Sequence, residues 1–135
     1  MPDKYRIVPT TADVGIEAFG TNEKELLENC LQGLYFICFD KMPDVKNEVG
    51  IISFQFKTVE ELVFEILDEA IFYLYTKSCI LKVDKVEKKD GSYKVSLKII
   101  LADDILQIEV KAVTKHNFFV KNKEGNWNAF VIFDI

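Results

Sequence analysis

The sequence has one histidine, His116, and three cysteines, Cys30, Cys38 and Cys79, in 135 residues. With so few soft ligands, no C-x-x-C pair and no His–His spacing, a structural zinc site is not expected. Three is an odd number, and each cysteine stands among apolar neighbours. The expectation is therefore buried, reduced thiols in a cytoplasmic protein rather than a disulfide framework. No run of about 18 apolar residues is present, so no membrane-spanning helix is expected. The opening MPDKYRIVPTTAD lacks the apolar stretch and small-residue cleavage site of a secretory signal. G-x-S-x-G, Walker and G-x-G-x-x-G motifs are absent too, which removes the common hydrolase and nucleotide-binding signatures.

Basic residues are also in deficit. Lys and Arg total 17 against 22 Asp and Glu, for a net charge of −5 and a pI near 4.9. Residues 1–76 carry 6 basic and 14 acidic side chains, whereas residues 77–135 carry 11 and 8. An acidic first half argues against strong direct binding to nucleic acid, which needs clustered Lys and Arg. Uneven solvation of an ordinary surface and an acidic face that meets a basic partner both fit this pattern.

What is present is globular: 49 % apolar and 29 % charged residues, without linkers, repeats or low-complexity tracts. The length predicts a single domain, 1–135, able to bury roughly two-thirds of its unfolded surface. Residues Tyr5 to Val8 read as a short strand ended by Pro9, and Asp13 to Phe19 alternates with period two up to Gly20. Asn22 with Glu25 forms a capping box, and Leu26, Leu27, Cys30, Leu31, Leu34 and Cys38 then recur at helical spacing to about Phe39. Ile52, Phe54 and Phe56 mark a strand. Thr58 with Glu61 starts a second helix, whose polar side gathers Glu61, Glu65, Asp68 and Glu69. Ile80 to Lys88 and Tyr93 to Leu101 flank Asp90-Gly91, a strong hairpin signal. Further strands are expected over Leu106 to Val113, through Phe118 to Val120, and over Trp127 to Phe133. Two helices among sequentially paired strands predict an α+β fold, a mostly antiparallel sheet with both helices packed on one face.

The last strand, Phe130-Val131-Ile132-Phe133-Asp134-Ile135, runs to the final residue. A terminal carboxylate would then sit beside the Asp134 side chain. Screening by water and salt can relieve the repulsion. So can a hard divalent cation held by oxygen ligands. Asp13, at the entry to the second strand, is a candidate third acid if the two ends of the chain are neighbours; otherwise it caps a turn. Such a set of oxygens suits Mg²⁺, Mn²⁺ or Ca²⁺. A lone histidine such as His116 is more often a hydrogen-bonded structural residue than a general base.

Three motifs together resemble a known family. Thr11-Ala12-Asp13-Val14-Gly15, followed by a strand and a capped helix, is similar to the N-terminal signature of archease. Val110-Lys111-Ala112-Val113-Thr114 with His116 is similar to its second signature, and Val131-Ile132-Phe133-Asp134-Ile135 to its third. The helix start at Thr58 to Glu61 also fits, so the likeness spans nearly the whole chain. It implies an archease-like fold and a non-catalytic helper of the GTP-dependent RNA-splicing ligase, the RtcB type, in tRNA splicing. In that role the protein promotes guanylylation and multiple turnover of the ligase. It also implies a divalent cation, Ca²⁺ in the family, on Asp13, Asp134 and Ile135, and a part for Lys111 in activation. Asp40 and His116 would stand behind these ligands. Two positions depart from the pattern: Thr10 replaces a common His, and Lys115 replaces a common Tyr. The competing readings are a stand-alone metal-dependent phosphohydrolase and a metal-free, chaperone-like interaction domain.

Overall fold

Among the described residues, seven strands and two helices follow the hydrophobic pattern, with one exception given below. The computed structural model describes residues 4–9, 13–44, 47–102, 104 and 106–135. In chain order these are β1 (Tyr5–Pro9), β2 (Asp13–Gly20), α1 (Glu23–Phe39), β3 (Glu48–Phe56), α2 (Val59–Lys77), β4 (Cys79–Lys89), β5 (Ser92–Leu101), β6 (Ala112–Lys123) and β7 (Asn126–Asp134). The fold is α+β with antiparallel pairing throughout. The strands divide into two sheets, β1-β2-β7-β6 and β3-β5-β4.

Local chemistry sets the element ends. Asn22 Oδ1 accepts from the Glu25 N–H at 2.8 Å, and Thr58 Oγ1 accepts from the Glu61 N–H at 3.1 Å, so both helices begin at the caps their sequences announce. Asp90 and Gly91 both have positive φ, 53° and 76°, as the tight two-residue hairpin turn demands. Gly20 is needed for a different reason. A Cβ there would collide with the Leu26 backbone nitrogen and lie 3.0 Å from the Asn22 carbonyl oxygen, so only glycine lets β2 turn directly into α1.

The two helices lie between the sheets, and each touches strands of both. This explains why α1 is buried around most of its circumference, from Leu26, Leu27 and Cys30 to Asn29, Gly33 and Ile37. Ile16, Ala18, Val131 and Phe133 from the first sheet, and Leu81, Val95 and Leu97 from the second, close the core on either side. Two polar side chains in the core are matched: Tyr35 Oη accepts from the Leu81 N–H at 2.7 Å, and the Asn29 amide donates to the Phe19 carbonyl at 2.6 Å. Cys30, Cys38 and Cys79 are all buried and free. No helix among the described residues is long and apolar enough to cross a membrane.

One expected strand is corrected. Leu106 to Lys111 alternates in hydrophobicity but lies outside any strand, and β6 begins only at Ala112. The amides of Gln107 and Ile108 donate to the Cys38 carbonyl at 2.7 and 3.2 Å, and the Val110 amide donates to Tyr75 Oη at 2.7 Å. Helix ends rather than a neighbouring strand take these donors, so no ladder forms. The strand expected through Phe118 to Val120 is instead part of β6, which runs from Ala112 to Lys123 with a register shift between Thr114 and Phe119.

Candidate functional site

The site is built by topology. β7 lies between β2 and β6 in the first sheet, so the first and last long strands of that sheet's chain order are hydrogen-bonded neighbours. Their register pairs Asp13 directly with Asp134, and β6 pairs Ala112 with the same Asp134. The Lys111 N–H donates to the Asp134 carbonyl at 2.7 Å, extending the β6–β7 ladder to the chain's last residues. Asp13, Asp134, Ile135 and Lys111 are thus collected at one end of one sheet. Asp13 is half-buried; Asp134, Ile135 and Lys111 are exposed.

Strand alternation assigns the face. Val14 pairs with Phe133 and Ile16 with Val131, and all but the half-buried Val14 are fully buried toward the helices. Asp13 and Asp134 stand one position away on their strands and share the opposite face. Residues directly opposite on such a face hold their Cβ atoms about 4.5–5.5 Å apart, and like charges so placed repel. A cation at ~2.3–2.6 Å from each oxygen spans that gap, so the hard-oxygen donor set fits Ca²⁺, Mg²⁺ or Mn²⁺. Among the described residues no three His, Cys, Asp or Glu side chains converge on one point.

Asp40 arrives at the same end by length. β2 leads away from Asp13 for 8 residues, and α1 returns for 17. At about 3.3 Å and 1.5 Å per residue the two runs are nearly equal, roughly 26 Å. Asp40 caps α1 in the left-handed conformation, and its N–H donates to the Phe36 carbonyl at 2.8 Å. His116 lies in the irregular stretch of β6, exposed, with its N–H on Thr114 Oγ1 at 3.3 Å. Lys115 points elsewhere: its Nζ sits 4.0 Å from the centre of the Phe64 ring on α2 and 5.8 Å from that of Phe118. Thr10, and Thr11 and Ala12 at the start of the first motif, lie outside the described residues.

One contributor escaped the sequence reading. Tyr75, in the last turn of α2, holds the Val110 amide through its hydroxyl, as the Cys38 carbonyl at the end of α1 holds Gln107 and Ile108. Together they tie both helix C-termini to the segment that delivers Lys111. Burial, with the neighbouring Cys38, pushes the Tyr75 hydroxyl up to about 12, and burial pushes the Cys38 thiol up to about 12 as well. The one available signal was a tyrosine at a helix end, where a hydroxyl on an apolar ring needs a partner. On the exposed side of α2, burial and then the charges of Asp68 and Glu65 raise the Glu69 carboxyl above its ordinary value. The acidic side foreseen for this helix is therefore real and electrostatically crowded.

The chain is similar to known proteins over nearly its whole length. Residues 5–135 match the Archease protein family (MTH1598/TM1083). The protein archease of Archaeoglobus fulgidus is 31 % identical, over 98 % of this chain and 99 % of its own. That of Pyrobaculum neutrophilum is 26 % identical, over 99 % and 97 %. The solution structure of protein 1598 from Methanobacterium thermoautotrophicum has the same fold, with a TM-score of 0.82, 24 % identity, and 98 % and 99 % of the two chains covered. A crystal structure from Thermotoga maritima, described as that of an archease and possible chaperone, superposes with a TM-score of 0.61 at 20 % identity, over 95 % and 94 %.

Proposed function

The chain belongs to the archease family, and on that premise we propose that it is a non-catalytic activator of the GTP-dependent, RtcB-type RNA-splicing ligase in tRNA splicing. It promotes guanylylation of the ligase and its repeated turnover. The observation that carries this reading is the register that sets Asp13 opposite Asp134 beside Ile135, with the Lys111 amide on the Asp134 carbonyl. Asp13, Asp134 and the Ile135 carboxylate would hold the divalent cation, Ca²⁺ before Mg²⁺ or Mn²⁺. When bound, the cation supplies a fixed positive charge that joins two strand ends.

This chain's own residues do the rest. Tyr75 holds the 107–111 segment, which presents Lys111 next to the acidic end. Lys111 meets an anionic group of the ligase or its nucleotide. Activation then follows if this edge binds the guanylylation-competent conformation of the ligase more tightly than the resting one. The acidic α2 offers a second surface to a basic partner. Asp40 at the end of α1 and His116 on β6 would stand behind the three ligands.

The test is ligase–GMP formation and multiple-turnover ligation, with and without this protein. Wild type should accelerate both, and Asp13→Ala and Lys111→Ala should each remove most of the gain. Equal stimulation by wild type and both variants would refute the reading.

A further inference from the structure

We propose that β3 is the contact through which two copies of this chain pair, antiparallel and about a two-fold axis, into one six-stranded sheet. The two sheets present four edges, β1 and β6 in one, β3 and β4 in the other. An edge strand exposes unpaired main-chain N–H and C=O groups, and soluble proteins blunt such edges with short length, proline, lysine or bulges. Three of the four are blunted here. β1 has 5 residues and ends at Pro9. β4 carries Lys82 and Lys85 around a register shift. β6 carries Lys115 and Lys121 and breaks its register between Thr114 and Phe119.

β3 has none of these devices over residues 50–56, which contain no charge and no proline, and its one register shift lies before them, between Glu48 and Gly50. Val49 and Ile51 are each 58 % exposed, and Ile52 and Phe54 are only partly buried. The strand therefore offers backbone hydrogen-bonding groups along an apolar lip.

Its charges select the occupant. An acid, Glu48, opens the strand, and a base, Lys57, follows its end, with nothing charged between them. Antiparallel self-pairing places unlike ends together, whereas parallel pairing would place like ends together. A two-fold axis at Ile52 keeps outward residues opposite outward residues. Ile51 then faces the second copy's Ser53, Val49 faces its Gln55, and each Glu48 lies beside the other copy's Lys57. Glu48 now makes only a loose, exposed contact with Lys98 at 3.9 Å, so it can share a second cation. An edge of roughly 30 Å by ~10 Å covers well under the ~800 Å² per partner of stable complexes, so the dimer is weak and depends on concentration.

Sedimentation velocity on the full chain from about 5 to 500 µM tests this. The dimer fraction should rise across that range. Ile51→Lys, at an exposed position that leaves the fold intact, should weaken association about tenfold or more. Lys57→Glu should weaken it roughly three- to tenfold, and Glu48→Lys combined with Lys57→Glu should restore it. A monomer at every concentration, a dimer indifferent to these changes, open-ended larger assemblies, or an edge filled only by another protein's strand would each overturn the proposal.

Discussion

Replacing Tyr75 with Phe removes one oxygen atom and leaves the ring in place. In the native protein that oxygen accepts the Val110 amide at 2.7 Å. Val110 is fully buried, so water cannot substitute for the lost acceptor. An orphaned buried amide costs about 1–3 kcal/mol. For a chain of this length each kcal/mol lowers the unfolding midpoint by roughly 3–5 °C, so Tyr75→Phe should melt about 3–15 °C below wild type. Local effects should exceed the global one. The Val110 amide should exchange with solvent much faster, and so should its neighbours in the 107–111 segment. Because Lys111 follows Val110 directly, stimulation of ligase–GMP formation, assayed well below the melting range, should fall while metal binding persists. A midpoint within a degree of wild type, with Val110 as protected as before, would refute the argument that this hydroxyl anchors the segment.

Two further outcomes follow from the same geometry. Burial carries the Cys30 and Cys38 thiols from 9.0 up to about 12, and burial with the Cys38 charge carries Tyr75 from 10.0 up to about 12. The unfolded chain releases these protons near its ordinary values and the folded chain retains them. Stability is therefore complete below about pH 9 and falls as pH rises from 9 to 12; urea midpoints that stay level from pH 8.5 to 11 would contradict this, and Cys38→Ala should flatten the fall. Adding one glycine after Ile135 moves the terminal carboxylate by roughly 3.5 Å and leaves Asp13 and Asp134 in register. Saturating Ca²⁺ should raise the melting point of the wild type, by about 2.7 kcal/mol of stability at a hundredfold excess over Kd, and should do so far less in the extended chain. Equal shifts would remove the Ile135 carboxylate from the ligand set.

How much of this was legible in the sequence depends on whether a feature is local. The caps at Asn22 and Thr58, the Asp90-Gly91 turn and the alternation of β2, β3 and β7 are decided by neighbours a few residues away, and the structure has them where the pattern puts them. Hydrophobic alternation reports that a residue is buried and not what buries it. Leu106, Ile108 and Val110 alternate like a strand, yet Cys38 and Tyr75, far away in the chain, claim the backbone donors between them. For the same reason alternation could not divide the strands between two sheets. That division required knowing that α1 is buried on opposite sides at once, by Ile16 on one and Leu81 on the other.

The acidic end is the case in which a non-local feature was foreseeable, and the reason is electrostatic. Asp13 and Asp134 lie at opposite ends of the sequence, and neither carries a local signal stronger than a turn residue. Each nevertheless stands where an alternating strand begins or stops, and a strand boundary is where side chains leave the core face. Antiparallel pairing of β2 with β7 makes the start of one coincide with the end of the other. Once the pairing is given, two anions must meet, because shifting the register by one residue would turn Ile16, Ala18, Val131 and Phe133 out of the core. Burial of those four side chains is worth roughly 1.5–3 kcal/mol each for the larger ones, whereas repulsion between two partly solvated carboxylates costs a few tenths to about one. The core therefore sets the register, and the register brings the carboxylates together.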